Sequence, residues 1–160
     1  MSLWVLDKEA VAPFVTKMMG DYRVVGPVAK GNKYAFDQLE EPAHLRLGYD
    51  TSILPPKKYL QPQEERMMTF TRTGKPSAEM VLDAPPTVIL GVHTCDLHGI
   101  RVLDKAFSEG YPDAYYLERR KNTLLVSIEC LSPCDDHSFC KSMGTLAAST
   151  GYDLHLTDLG

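Results

Sequence analysis

The sequence predicts an α/β (or α+β) domain whose second half holds parallel strands covered by helices, preceded by an N-terminal helix and a hairpin. Three observations predict it. Residues 87–92, Thr-Val-Ile-Leu-Gly-Val, form an unbroken run with the composition of a strand buried on both faces. Two further strand-like segments, 123–128 and 153–157, follow it, and the sequence between them carries helical periodicity. Such alternation sets successive strands in parallel, with the intervening helices on the faces of the sheet.

Taken in order, residues 7–19 place Val11, Phe14, Val15, Met18 and Met19 at helical spacing, with Asp7 or Ser2 as the cap and Gly20 as the stop. Residues 22–28 and 34–39 read as two strands joined by a Lys30-Gly31-Asn32-Lys33 turn, a hairpin signature. From 40 to 86 prolines at 42, 55, 56, 62, 76, 85 and 86 interrupt every pattern. That stretch is expected to be mostly irregular, with a short helix at 62–68 and short extended pieces. After the 87–92 strand, residues 96–107 put Leu97, Ile100, Leu103, Ala106 and Phe107 on one stripe of a helix. A second helix at 113–121 ends in Glu118-Arg119-Arg120-Lys121 and leads into the strand 123–128. A polar cysteine-bearing loop, a helix at 138–150 and the strand 153–157 complete the expected order.

Composition bounds the function. The chain has 160 residues, 17 basic and 21 acidic side chains for a formal net charge of −4, 44% hydrophobic residues and 24% charged. This is the balance of one globular domain, 1–160, with 1–86 its helix, hairpin and proline-rich part and 87–160 its cysteine-bearing part. A chain of this length buries roughly two-thirds of its unfolded surface, so it needs no metal merely to be compact. No basic stripe is present to neutralise phosphates, so nucleic acid is not an expected partner. No apolar run approaches the roughly 20 residues that cross a bilayer, and Met1-Ser2-Leu3-Trp4 lacks a basic segment followed by an apolar one. The expectation is a cytoplasmic protein without membrane insertion, whose cysteines are kept reduced.

The four cysteines carry the strongest chemical signal: Cys95, then Cys130, Cys134 and Cys140 within Cys-Leu-Ser-Pro-Cys-Asp-Asp-His-Ser-Phe-Cys. Cys95 follows one predicted strand and Cys130 the next. If those strands are parallel neighbours, both thiols lie at their carboxyl ends, where open α/β sheets bind ligands. The intervening loop can then fold Cys134 and Cys140 over the same spot. Four converging thiolates select soft metals, either one [4Fe–4S] or [2Fe–2S] cluster or a tetrahedral zinc. Structural zinc favours paired short Cys-x2-4-Cys knuckles, whereas here one gap of three residues, one of five and a distant partner favour a cluster. With zinc or no metal at the cysteines, the chain reads instead as a structural module that holds subunits together. A free cysteine can also be a small buried hydrophobe, a reading that suits Cys95 taken alone better than the triplet in its polar loop.

Other candidates have weaker patterns. His93, His98 and His137 lie near the cysteines, but hydrogen-bonded loop and helix-start residues are the commoner outcome for His93 and His98. Arg119-Arg120-Lys121 can dock an acidic partner or, more simply, cap a helix end in solvent. Asp135 and Asp136 are adjacent, so their carboxylates point apart in an extended segment. Met18-Met19 and Met67-Met68 read as core filling. No Gly-x-Gly-x-x-Gly, Walker loop or nucleophile elbow occurs. Cys95 as a nucleophile paired with His93 or His98 is an unspecific alternative.

Several of these segments together resemble a known family. They are Val-Ile-Leu-Gly-Val-His-Thr-Cys-Asp-Leu-His-Gly-Ile at 88–100, Asp113-Ala-Tyr-Tyr-Leu-Glu-Arg-Arg-Lys-Asn-Thr123, Cys130, Phe139-Cys-Lys-Ser-Met-Gly144 and Asp153-Leu-His-Leu-Thr-Asp-Leu-Gly160, with Leu54-Pro-Pro-Lys-Lys-Tyr-Leu-Gln-Pro-Gln-Glu-Glu65 upstream. In this order they resemble the beta subunits of cytosolic hydrogenase/sulfur reductase complexes and the related A component of anaerobic sulfite reductase, from about Ser52 onward. The resemblance implies an iron–sulfur electron-transfer subunit of a redox complex, with catalytic and flavin or ferredoxin-type subunits as partners. In that family such a domain precedes a ferredoxin-like domain with two [4Fe–4S] clusters. This sequence has no Cys-x2-Cys-x2-Cys run, so the two-cluster function is not carried over. Cys95, Cys130 and Cys140 stand on family cysteine positions. Where the family loop reads Cys-Phe-Cys, this chain has Ser138-Phe139-Cys140, and Cys134 is the substitute ligand.

Overall fold

A computed structural model describes residues 3–160. The first helix, α1 (Lys8–Asp21), buries Val15 and half-buries Val11, Phe14, Met18 and Met19, the stripe the periodicity predicts. Its ends differ from expectation. Asp7 occupies the cap position, yet its side chain makes no cap bond and its backbone carbonyl takes the Ala10 amide instead. Ser2 lies outside the described residues. Gly20 does not stop the helix, which runs one residue further to Asp21.

Strands β1 (Arg23–Lys30) and β2 (Lys33–Gln38) form the expected hairpin, closed by the Lys30–Lys33 pair. Gly31, at φ +65°, supplies the positive φ that a two-residue hairpin turn demands at its first position. The proline-rich stretch is largely irregular, as expected. It contains two 3₁₀ turns (Pro42–His44 and Pro56–Tyr59) and a separate two-stranded sheet of β3 (Met68–Thr71) and β4 (Ser77–Met80). No helix forms at 62–68, because tertiary bonds compete for that segment. Arg119 donates from Nε to the Leu60 carbonyl at 2.7 Å and pairs through Nη1 with Glu65. Met67 and Met68 then enter the hairpin and are about half exposed, so they do not fill the core.

The second half alternates as predicted: β5 (Thr87–His93), α2 (Thr94–Ser108), α3 (Ala114–Lys121), β6 (Thr123–Ile128) and β7 (Leu154–Leu156). The main sheet has the order β2-β1-β5-β6-β7, antiparallel only between β1 and β2. Period-2 alternation divides its apolar residues between two faces. Val24, Val88, Leu90 and Val126 pack with Val15 of α1. On the opposite face Val25, Ile89 and Leu125 pack with Leu97, Ile100 and Tyr116 of α2 and α3. Each fully buried Leu or Ile there contributes roughly 1.5–3 kcal/mol.

Two sequence expectations fail in this half, each for a local reason. The helix expected at 138–150 does not form, and only a single hydrogen-bonded turn is present there. The Thr145 amide returns to the Cys140 carbonyl and the Gly144 amide to Lys141, with Gly144 at φ +68°, the Schellman arrangement that ends a helix. Of the basic run in the last turn of α3, only Lys121 is the solvated cap expected. Arg119 is buried against Leu60 and Glu65, and Arg120 binds Asp104 and the Thr123 carbonyl.

Candidate functional site

The site is framed by the carboxyl ends of β5 and β6. Their parallel register pairs His93 with Ile128, so Cys95 and Cys130 each lie two residues beyond a matched pair. A bulge at Gly91 shifts that register between Leu90 and Val92. Gly91 has φ +83°, and its carbonyl accepts the Tyr49 hydroxyl at 2.9 Å. The Tyr49 ring stacks on His93 with centroids 4.0 Å apart and planes 5° apart. This aromatic pair closes the strand end from beneath.

Cys95 is the second residue of α2, in its first turn. Burial pushes its thiol up to about 11, helped by the Asp96 carboxylate and the Cys140 and Cys130 sulfurs, while a bond from the Asp96 amide acts the other way. A thiol held protonated is a poor nucleophile, which argues against the Cys95 enzyme alternative. Cys134 is likewise raised, first by burial and then by Cys130, Cys140 and acidic neighbours including Asp50. Cys95 and Cys134 therefore each lie near enough to Cys130 and Cys140 to feel their charge. All four cysteines are free thiols, half-buried. Thr94 lies 3.9 Å from the Cys130 sulfur through Oγ1.

The neighbours take the simpler of their expected roles. His98 bonds through Nε2 to the Ala147 carbonyl at 3.0 Å, and His93 is stacked and buried. Asp135 accepts bonds from the His137 amide and the Ser138 hydroxyl, forming a surface turn. Sequence reasoning missed Tyr49, Asp50, Thr94 and Lys57, whose Nζ lies 4.0 Å from Asp96. Lys57 and Thr94 stand inside segments that carry the family resemblance, which was the available signal. Tyr49 and Asp50 had none, because the chain reaches the site there through an irregular loop.

Among the described residues, no three or more His, Cys, Asp or Glu side chains are gathered closely enough to hold a metal ion as they stand. The donor chemistry suits a soft metal all the same. The sulfurs of Cys130 and Cys140 add to the proton affinity of Cys95 and Cys134, a cost that deprotonation onto a cationic centre removes.

No family model and no solved structure matches the chain. Among curated proteins, it is 37% identical over 154 residues, 96% of its length, to the sulfhydrogenase 2 subunit beta of Pyrococcus furiosus. Over nearly its whole length the chain is thus a homologue of part of a sulfhydrogenase beta subunit. It spans 45% of the length of the sulfhydrogenase subunit it matches. Among the described residues no helix is long and apolar enough to cross a membrane.

Proposed function

We propose that this chain is an iron–sulfur electron-transfer unit of a redox complex of the hydrogenase/sulfur reductase type, with Cys95, Cys130, Cys134 and Cys140 as the thiolate ligands of one [4Fe–4S] cluster. The observation that carries the proposal is that Cys95 and Cys130, free thiols, stand just beyond the carboxyl ends of adjacent parallel strands, with Cys134 and Cys140 of the following loop within electrostatic reach of them, in a chain similar to such a subunit. Such a cluster, when bound, accepts and releases one electron without rearranging its ligands.

The protein's part is to position and tune. Cys95 sits in the first turn of α2, where backbone amides have no partner within the helix, and the Asp96 amide bonds its sulfur. N–H···S bonds stabilise negative charge and so favour the reduced state. The Tyr49–His93 stack keeps water from the inner side, while Leu131, Phe139 and Met143 are exposed around the loop. That exposed apolar rim is where catalytic and flavin or ferredoxin-type subunits dock in this reading, close to the electron carrier. Within this proposal residues 1–160 act as one electron-transfer domain, in the cytoplasm.

The test is the iron, acid-labile sulfide and zinc content of protein purified without oxygen, together with its visible spectrum. About four irons and four sulfides per chain are expected, with an absorption band that bleaches on reduction. Cys130→Ala is expected to lose the cluster. Stoichiometric zinc, no metal, or full iron content in Cys130→Ala each refutes the assignment.

A further inference from the structure

The loop between β6 and β7 has little regular structure, yet its second half is fastened to α2 at successive points. Thr94 donates from Oγ1 to the Leu146 carbonyl at 3.0 Å. One turn along, His98 Nε2 meets the Ala147 carbonyl at 3.0 Å. One turn further, the stem of Arg101 packs on Gly151, where a Cβ would approach Arg101 Cδ to 2.8 Å. Residues 94, 98 and 101 share one face of a helix. The core face of α2, with Leu97 and Ile100, is occupied separately, and Ala148 and Tyr152 of the loop join that core.

We propose that Thr94 and His98 are positioning residues that form a two-point latch, seating the cysteine loop on α2 before any metal arrives. The proposal rests on the cysteine-site reading for its purpose. Both bonds end on backbone carbonyls, so the latch depends on the side chains at 94 and 98 and not on those at 146 and 147. It fixes the loop relative to Cys95, which lies between the two latch residues on the same helix. Thr94 also reaches the Cys130 sulfur, so one buried hydroxyl touches the end of β6 and the returning loop together. Cys140 is held next to the seated part, since its carbonyl accepts the Thr145 amide. Around Cys134, by contrast, the hydrogen bonds join Asp135, His137 and Ser138 to one another. The latch thus presents Cys95, Cys130 and Cys140 in a fixed relation and leaves Cys134 to close last.

The test is backbone amide exchange of the metal-free full chain, read over the peptides covering 131–153, with those of β5 and β6 as the control for global unfolding. Loss of one hydrogen bond is expected to raise local opening about fivefold. Thr94→Val and His98→Ala should each do so, and the double variant should multiply the two effects. Thr94→Ser, which keeps the donor, should stay within about twofold of the parent. Unchanged exchange in the double variant overturns the latch, as does Thr94→Ser exchanging as fast as Thr94→Val. Should Thr94→Val fail to fold, His98→Ala alone must still accelerate exchange, and its failure to do so is equally decisive. Iron content of the parent, measured in parallel, separates the two ideas: a protected loop without iron removes the cluster proposal and keeps the latch, whereas iron with an unlatched loop does the reverse.

Discussion

Gly91→Ala is expected to be among the most costly single-methyl additions available to this protein. Gly91 has φ +83°, where an L-residue costs roughly 1–2 kcal/mol. The new methyl would meet Leu47 Cδ2 at 3.0 Å and Pro27 Cδ at 3.2 Å. Proline cannot swing away, so relief must come from backbone movement between β1 and β5, an overpacking cost of roughly 1–3 kcal/mol. The two effects sum to about 2–5 kcal/mol, a large share of the roughly 5–15 kcal/mol that holds a domain together. Urea denaturation followed by far-UV circular dichroism measures this directly, as a fall in midpoint at unchanged slope. Tyr49→Phe, which removes only the hydroxyl bonded to the Gly91 carbonyl, should cost about 1–2 kcal/mol. Because both act on one bulge, the double variant should fall short of the sum by more than about 0.5 kcal/mol. A Gly91→Ala protein within about 1 kcal/mol of the parent would mean that the bulge is neither strained nor tightly packed, and the reasoning would fail.

Three further expectations concern Arg119 and Cys95. Arg119→Met removes the partner of the Leu60 carbonyl and of Glu65, and should cost about 2–4 kcal/mol in urea titration, against about 1 kcal/mol for Glu65→Gln, whose side chain is partly exposed; equal losses would contradict the burial argument. In the metal-free protein the Cys95 thiol, at about 11 against an ordinary 9.0, should react with iodoacetamide at pH 8 about tenfold more slowly than a free thiol, since its lower thiolate fraction outweighs its higher nucleophilicity. The same shift fixes the sign of a stability effect: the folded state holds the proton more tightly, so the contribution is complete below pH 9.0 and is lost as pH rises through about 11. Titration of the denaturation midpoint from pH 8 to 11 in the parent and in Cys95→Ala checks it, and parallel curves would count against it.

Strands buried on both faces were readable because nothing else explains a run such as 87–92, and the helix stripes because 3.6-residue spacing survives in a short window. What escaped was decided by distant partners. The segment 62–68 has a defensible helical pattern, but Arg119, from α3, takes the Leu60 carbonyl and the Glu65 carboxylate. The segment 138–150 has apolar spacing too, and there Gly144 was a visible helix stop that outweighs the spacing. In the site, the cysteines announced themselves by clustering. Tyr49 did not, since an aromatic in an irregular loop reveals its stacking partner only when the chain is folded. The basic run at 119–121 misled because three consecutive cations look alike in sequence, whereas Arg119 is buried, Arg120 is half-buried and only Lys121 is exposed.

The outer strands of the main sheet raise a question of colloidal behaviour. An unpaired strand border is a template on which another chain can polymerise. On the β2 side the border is already covered: the Ile53 amide bonds to the Tyr34 carbonyl and the Phe36 amide to the Leu54 carbonyl, and Pro55-Pro56 prevents the cover from extending as a strand. On the other side β7 is only three residues long, Leu154–Leu156. So short a template holds little of a foreign strand. The main sheet is thereby guarded against cross-β recruitment on one flank by a proline-terminated strap and on the other by brevity.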